Sequence, residues 1–346
     1  MKTQWMNRPY YSIGDYYREK FGERVSKISV NVADTCPNRL GLKGMQTCTF
    51  CDVWGSAAYA DQREFTLEQQ ILNVKEKIQG MTAYNKFLVY FQSYTNSFTA
   101  IRNLEAMYEE ALKHEGVVGL VIGTRPDCIS AALINLWKKF SERTYVSVEL
   151  GAQSFYEDFL EFEKRGHTAQ ATLNTVYKLS EIPGLDIGLH FIFGHPGETV
   201  EHVIEQAKFC AQLPIQNVKL HNLHILKHTK LERYFEVGLF KPIELEEYSE
   251  KVAQFISHLP QNIAVQRLSA LSSRWDELIA PQWTMHKMTV FQSIIDYMNE
   301  REIYQGKEYI PESSTSRKNP PLPEHFQAKI VDQTQFEALL KTLPQG

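Results

Sequence analysis

Residues 26–51, SKISVNVADTCPNRLGLKGMQTCTFC, begin with an apolar, β-rich run and continue directly into a loop with three of the chain's five cysteines. The run at 26–33 predicts a strand, because Ile and Val predominate and charged residues are few. In parallel α/β folds, functional groups gather at the C-terminal ends of strands. We therefore expect the cysteine loop, residues 36–51, to lie at such an end.

The same pattern, a short apolar run followed by a longer helical one, repeats along the first two thirds of the chain. Further runs rich in Val, Ile, Leu and Phe predict strands at 86–92, 117–122, 145–150, 186–193 and 216–223. Helices are predicted between them, at 66–80, 100–114, 129–141, 168–181 and 199–213. Six such repeats predict a parallel barrel or partial barrel, and a doubly wound open sheet would give a similar pattern.

The chain divides into four predicted segments. Residues 1–24 form an N-terminal segment, and 25–225 hold the six repeats. Residues 226–310 form a smaller C-terminal domain, with helices around 245–258 and 285–304 and a strand around 262–268. Residues 311–346 form a linker or extended arm, which begins PESSTSRKNPPLPE, and end in a short helix at 332–342.

Composition indicates a globular protein: of 346 residues, 43% are hydrophobic and 23% charged. Neither a membrane-length apolar stretch nor a secretory signal is visible, so we expect a cytoplasmic protein with no membrane partner. The net charge of −4 argues against general nucleic-acid binding. Residues 219–241 nevertheless form a local basic stretch, whose simpler interpretation is a solvated helix face.

Polar residues follow each predicted strand at the same end. The clusters are the cysteine loop, QSYTN at 92–96, GTRPDC at 123–128, ELGAQS at 149–154, the segment from His190 to Glu198, and the histidines 221 and 224. Six polar clusters at one end of a sheet predict a single lined cavity, although each alone is explained by turns and caps.

The cysteine spacing is typical of a metal centre and not of a disulfide framework. Cys48 and Cys51 form a CxxC pair, and Cys36 lies eleven intervening residues earlier. Three thiolates hold three irons of a [4Fe–4S] cluster and leave the fourth open to a ligand. The alternative is zinc, which would need a remote fourth ligand such as His190. Cys210 fits a buried core position, whereas Cys128 stands at a strand end.

The cysteine loop and its context resemble the radical S-adenosylmethionine (SAM) superfamily, in the YhcC/YtqA-type subgroup related to the Elongator catalytic subunits. The similarity extends from about residue 11 to 309, through YFQSYTNSF, GTRPDC, ELGAQS, KRGHT, HFIFGHPGET, VKLHNLHILK, QRLSA and LIAPQW. Two departures stand out: Gln46-Thr47 replaces a common Gly-Gly, and His195 replaces a common aliphatic residue. We therefore expect a partial (β/α)6 TIM-type parallel barrel with a C-terminal α/β extension.

The resemblance implies a [4Fe–4S] cluster on Cys36, Cys48 and Cys51. It also implies reductive cleavage of SAM to a 5′-deoxyadenosyl radical that takes hydrogen from a substrate. Carried over by position, the implied SAM contacts are Phe50 near the adenine, Gln92 and Ser93 at the amino group, Glu149 and Gln153 at the ribose, Arg165 at the carboxylate, and the backbone of Ile192 and Gly194 beside the adenine. Structural roles compete with several of these, with Phe50 as core, Arg165 as an ion pair and Gln153 as a turn residue.

Asp127 and Cys128 are predicted to face the substrate, because the SAM contacts already have candidates on other strands. Asp127 would orient or deprotonate substrate, and Cys128 would return a hydrogen atom to a substrate radical. The competing interpretation is an Arg125–Asp127 ion pair that stabilises the loop beside a packed thiol.

Three functions remain open from the sequence. The first is a radical SAM enzyme that modifies the wobble uridine of tRNA, with an electron donor such as flavodoxin or ferredoxin. The second is a radical SAM enzyme that acts on a small metabolite or a protein. The third is a non-catalytic zinc or iron–sulfur binding module, which the polar clusters at the strand ends argue against.

Overall fold

A computed structural model of the protein describes residues 8–33, 35–52, 64–92, 94–272, 275–311 and 319–332, together with 334 and 338. Its strands, in chain order from β1 to β9, are Val25–Asn31, Lys86–Gln92, Val117–Thr124, Tyr145–Gln153, Leu185–Phe193, Asn217–Asn222, Ile225–Leu226, Ala264–Val265 and Leu278–Ala280. All six predicted barrel strands are present, each within three residues of its predicted bounds. The strand predicted around 262–268 is shorter, at two residues.

Seven of these strands form one parallel sheet, in the order β1-β2-β3-β4-β5-β6-β8. The sheet is strongly curled. Lys27 on β1 forms an ion pair with Glu149 on β4, although three strand spacings in a flat sheet would put these strands about 14 Å apart. The partial parallel barrel expected from the sequence is thus confirmed, with a seventh strand supplied by the C-terminal extension.

Ten α-helices are present in the described chain, and most cover the outer face of the sheet. In chain order, α1 to α10 are Ile13–Phe21, Leu67–Met81, Ile101–Leu112, Ala131–Ser141, Glu157–Phe162, Ala169–Ser180, Val200–Cys210, Lys230–Glu236, Leu245–Ser257 and Lys287–Glu300. Helix α2 begins with a capping box, in which Thr66 and Gln69 bond reciprocally. No helix among the described residues is long and apolar enough to cross a bilayer.

Helix α1 was not predicted, and it closes the N-terminal end of the barrel. Its Tyr17 is buried and packs edge-on against Tyr145 of β4, with ring centroids 6.1 Å apart. The neighbouring Tyr16 hydroxyl donates to Asp186 at the start of β5 over 2.5 Å. Aromatic side chains of this size contribute much buried area, so α1 seals the end of the barrel opposite the cysteine loop.

The C-terminal extension is joined to the barrel. Strand β8 pairs in parallel with β6, and α9 packs against α7 and α10. Strands β7 and β9 form a separate antiparallel pair. The apolar core is continuous across this junction, since Phe191 and Phe193 of β5 both contact Phe255 of α9.

Part of the predicted tail also packs on the barrel. Phe326 is fully buried against Phe155 and Tyr156, and the Asp158 carboxylate accepts the backbone N–H groups of Ile330 and Val331. Residues 319–332 are therefore a folded strap and not a free arm. Most of the helix predicted at 332–342 lies outside the described residues.

Candidate functional site

A cavity of about 340 Å³ opens at the C-terminal ends of the strands. It is lined by residues from the cysteine loop and from the ends of β2 to β6, and also by residues that follow β8. The polar lining residues are Cys36, Cys48, Cys51, Asp52, Tyr90, Gln92, Tyr94, Thr95, Thr124, Arg125, Glu149, Gln153, Arg165, His190, Lys219, His221, Asn222, His224, Arg267 and Ser272. The single cavity predicted from the six polar clusters is present.

The cysteine side of the cavity brings three free thiols to one wall. Burial and the neighbouring Cys48 raise the pKa of Cys51 to about 11, against the opposing effect of Arg39. The Arg165 Nη1 atom lies 3.4 Å from the Cys48 sulfur, and Arg39 Nη2 lies 3.6 Å from the Cys51 sulfur. Guanidinium groups beside sulfur favour the thiolate, which is the form that binds metal.

The cysteine loop is fastened to the turn after α5, residues 163–167. The Asn38 Nδ2 atom donates to the carbonyl oxygens of Gln46, at 2.7 Å, and Lys164, at 2.9 Å. The Thr49 N–H donates to the Glu163 carbonyl over 3.0 Å. The loop that carries the thiols and the turn that carries Arg165 therefore form one unit.

Several donors on this side have no partner in the described chain. Arg165 Nε, Arg39 Nε and the Thr95 hydroxyl are buried and form no hydrogen bond. Buried polar groups in folded proteins are normally paired. Among the described residues, no three His, Cys, Asp or Glu side chains converge to hold a single metal ion. Three thiols on one cavity wall, with guanidinium groups beside two of them, fit a thiolate-bound cluster and a polar ligand next to it.

Six of the eight predicted SAM-contact residues line this cavity: Phe50, Gln92, Glu149, Gln153, Arg165 and Ile192. Ser93 lies outside the described residues. Gly194 borders a second cavity, and a Cβ atom there would lie 2.9 Å from Ile243. Its backbone N–H donates to Glu198 over 2.7 Å. The structure therefore brings most of the predicted residues together but separates Gly194 from them.

The cavity floor, defined here as Lys27, Glu149, His190 and Lys219, is an ionic cluster that the sequence did not reveal. The carboxylate of Glu149 is fully buried, and pairs with Lys27, with His190 at 2.8 Å and with Lys219 at 3.3 Å. Burial opposes ionisation of Glu149, but Lys219 and Lys27 hold its pKa well below the usual range. Burial also lowers the pKa of Lys219 to about 7 and that of His190 to about 4.

A signal for this floor does exist in the sequence: single charged residues inside strands that otherwise contain no Lys, Arg, Asp or Glu. Lys27, Glu149 and Lys219 each interrupt such a strand, and strands buried on both faces seldom carry a charge without a partner. Glu149 was predicted as a ribose contact, but the structure already pairs both of its oxygen atoms with protein cations.

Asp127 and Cys128 are not among the residues that line the cavity. Arg125 holds Asp127 through two bonds of 2.9 Å and also donates to the Arg165 carbonyl over 2.7 Å. The Cys128 sulfur lies 3.8 Å from Asp127 Oδ1. This is the loop-stabilising pair weighed above, and the substrate-facing roles of Asp127 and Cys128 stay predictions.

The basic stretch 219–241 is divided between the interior and the surface. Lys219, His221 and His224 line the cavity, while Lys227, Arg233 and Lys241 are exposed. The stretch also runs through β6, β7 and α8, so it is not a single solvated helix face. Near α8, Lys230 Nζ donates to Gln46 over 2.7 Å, which places the exposed part beside the cysteine loop.

His195 stands at the centre of a buried network behind the cysteine side. Its ring lies 2.9 Å from Glu163 and 3.3 Å from Glu198, and stacks on Phe159 at 4.6 Å. Although burial disfavours the charged ring, bonds to Glu163 and Glu198 raise the pKa of His195 to about 9. Because Glu163 also holds Thr49 by its carbonyl, His195 supports the cysteine loop indirectly.

Two family models match the chain: the radical SAM superfamily over residues 30–210 and the radical SAM C-terminal domain over 215–300. Protein YhcC of Escherichia coli K12 is 32% identical over 302 residues, which cover 86% of this chain and 96% of YhcC. The tRNA uridine(34) acetyltransferase of Methanocaldococcus infernus is 32% identical over 162 residues, 46% of this chain and 29% of that protein.

A solved structure has the same fold. The archaeal M. infernus Elp3, with residues 1–46 deleted, superposes with a TM-score of 0.63 and 19% identity, and the match covers 81% of this chain and 64% of that one. Together with the family models, these likenesses confirm the resemblance carried by the cysteine loop. The chain therefore belongs to the radical SAM superfamily, whose enzymes use a [4Fe–4S] cluster and S-adenosylmethionine, and within it to a YhcC-type group related to Elongator.

Proposed function

We propose that Cys36, Cys48 and Cys51 hold the cluster of this radical SAM enzyme, and that SAM binds beside it against Phe50 and Arg165. The observation that carries this assignment is that the three thiols and Arg165 border one cavity, with Arg165 in contact with the Cys48 sulfur. When bound, the cluster and SAM supply one-electron cleavage of SAM, which yields 5′-deoxyadenosine once hydrogen is taken from a substrate.

The chain's own residues would bind and orient these groups. Arg165 is anchored by a 3.1 Å bond to the Gly151 carbonyl and keeps Nε unpaired, so it can meet a carboxylate without moving far. Gln92, Gln153 and Ile192 line the cavity near it and supply polar and apolar contacts to the rest of SAM. The SAM contacts expected of Gly194 and Ser93 also remain proposals. Gly194 does not line this cavity, and Ser93 lies outside the described residues.

For the substrate we propose the wobble uridine of tRNA. The support is the partial similarity to a protein named tRNA uridine(34) acetyltransferase. The exposed basic residues Lys227, Arg233 and Lys241 follow the cavity-lining segment in the chain and would contact phosphates. Because the net charge is −4, such contacts would be local to this surface.

A small acidic metabolite or a protein side chain is the second candidate. The observation that favours it is the enclosed, cation-rich interior formed by Lys219, Arg267 and their neighbours. A small molecule would fill this interior without needing an external basic surface. Membership in an enzyme superfamily leaves the third function, a non-catalytic module, without support.

An electron donor such as flavodoxin or ferredoxin would dock against the cysteine loop. Leu40 and Leu42 are exposed on the outer side of that loop, at 52% and 40%. Exposed leucines beside a buried redox centre are suited to a transient contact with a partner protein. When the partner leaves, isolated apolar residues on a loop can face solvent with little loss of stability.

The substrate test uses anaerobically reconstituted protein with SAM, a chemical reductant and either of two tRNA transcripts, which differ only in uridine or cytidine at position 34. We expect the uridine transcript alone to increase 5′-deoxyadenosine formation and to acquire a mass change at that nucleoside. Equal responses to both transcripts, or to neither, would reject the tRNA proposal and leave the metabolite or protein substrate.

A further inference from the structure

The cavity interior has more cationic groups than its carboxylates balance. Glu149 alone pairs with both Lys27 and Lys219. Arg267 lies in the same cavity and pairs with no carboxylate in the described part of the chain. Its hydrogen bond to protein is a 3.4 Å contact from Nε to the Leu220 carbonyl.

Arg267 is half-buried, and a guanidinium that gives up hydration without gaining a paired carboxylate is costly. Burial lowers the pKa of Arg267, as this loss of hydration requires. Its charge is felt by the surrounding groups: burial and Arg267 together lower the pKa of His224 to about 3. The Leu220 N–H donates to the Arg267 carbonyl over 3.2 Å, so Arg267 lies alongside β6, next to Lys219.

A second observation points to ligand binding at this place. The Nε2 atom of His224 is buried, lies in the cavity wall and has no hydrogen-bond partner among the described residues. Lys219 is the third group of this set, after Arg267 and His224. Its Nζ atom donates to Tyr90 over 3.0 Å and to Glu149 over 3.3 Å, which leaves one ammonium N–H for a ligand. The groups come from β6, from the turn between β6 and β7, and from the residues after β8.

We propose that Arg267, Lys219 and His224 form an anion subsite that binds a carboxylate or phosphate group of the substrate. A guanidinium fork matches both groups bidentately, and a lysine and a histidine N–H can satisfy the remaining oxygen lone pairs. The proposal rests on the proposed function only in that the substrate shares this cavity with SAM. Arg165 and the cysteine side would be occupied by SAM and the cluster, so the subsite serves a different anion.

The test measures binding of inorganic phosphate, acetate and neutral acetamide to reconstituted, SAM-saturated protein by titration calorimetry, with ionic strength held constant by chloride. We expect phosphate or acetate to bind and acetamide not to bind. Loss of a charged hydrogen-bond partner in Arg267→Gln should weaken anion binding about tenfold or more. Arg102→Gln, on the exposed face of α3, is the matched control and should bind as wild type does.

Two further variants keep the test decisive. Arg267→Lys retains the charge but not the fork and should show an intermediate loss. Lys219→Met should also weaken anion binding, and this variant provides the test if Arg267→Gln does not fold. Binding of phosphate alone indicates a phosphorylated substrate, and binding of acetate alone indicates a carboxylate.

The proposal is overturned if neither anion binds, if acetamide binds equally well, or if Arg267→Gln leaves the affinity unchanged. Formation of 5′-deoxyadenosine is assayed on the same samples. Anion binding without any SAM cleavage would contradict the proposed reaction while leaving the subsite in place, so the two failures are distinguishable.

Discussion

The cysteine side of the cavity and the cavity floor are both polar and buried, but they satisfy their polar groups in opposite ways. On the cysteine side, Arg165 and Arg39 point at sulfur and keep buried Nε atoms without partners. On the floor, both oxygen atoms of Glu149 are already taken by protein cations. The cysteine side therefore has donors available for ligands, whereas the ion pairs of the floor stabilise the barrel interior. Substitutions on the two sides should therefore fail differently.

The largest expected effect is the loss of the cluster. Wild-type protein reconstituted anaerobically should contain about four irons per chain, as a [4Fe–4S] centre requires. Replacement of Cys36, Cys48 or Cys51 by Ala should abolish this iron with little change in the far-ultraviolet circular dichroism. Cys210→Ala is the control, because Cys210 is buried in α7 away from the cavity. Full iron content in any of the three loop variants would disprove the ligand assignment.

On the floor we expect the reverse result, a loss of stability. Glu149→Gln leaves Lys27 and Lys219 buried without a counter-charge, which should lower the free energy of unfolding by about 3–5 kcal/mol. Glu105→Gln removes one partner of an exposed pair with Lys139 and should cost less than about 1 kcal/mol. Urea unfolding of the two variants measures the difference. Similar small losses in both would show that the floor is not an ionic support.

The His195 network should make stability depend on pH. Its pKa is raised from 6.5 to about 9, so its stabilisation is complete below pH 6.5 and is lost as the pH rises through 9. The 2.5-unit shift corresponds to at most about 3 kcal/mol. Wild type should therefore lose more stability than His195→Gln between about pH 6.5 and pH 9.5 in urea unfolding. Parallel curves for the two proteins would contradict the charged state of His195.

A smaller effect is expected at Arg165, where a substitution should reduce SAM affinity and not the stability of the fold. Arg165→Ala should weaken SAM binding about tenfold, the value of a charged hydrogen bond, while the iron content stays near that of wild type. Arg165→Lys should lose less, because it keeps the charge. Equilibrium dialysis with labelled SAM gives the affinities. An unchanged affinity in Arg165→Ala would show that another group binds the SAM carboxylate.

The same contrast explains what could be predicted from the sequence. The cysteine side was predictable because its ligands lie within one loop, from Cys36 to Cys51, and form a recognisable spacing. The apolar strands were equally clear, since buried parallel strands are continuous hydrophobic runs. The floor was not predictable as a cluster, because Lys27 and Lys219 are far apart in sequence and meet only through the curl of the sheet.

Two structural elements were missed for a related reason. Helix α1 is short and rich in tyrosine, and its pattern indicates a helix only once the barrel end that it covers is known. The strap at 319–332 looks like a linker because it is rich in proline and polar residues, yet Phe326 anchors it in an aromatic pocket. In both cases tertiary packing decides the conformation and local propensity does not.

The measurement that tests the central claim most directly is the amount of 5′-deoxyadenosine formed by reduced, reconstituted wild-type protein with SAM, compared with that formed by Cys51→Ala. If the three loop thiols hold the cluster beside the SAM site, wild type forms 5′-deoxyadenosine and Cys51→Ala forms none. An iron-loaded wild type that forms no 5′-deoxyadenosine, or a Cys51→Ala variant that forms as much as wild type, would contradict the account.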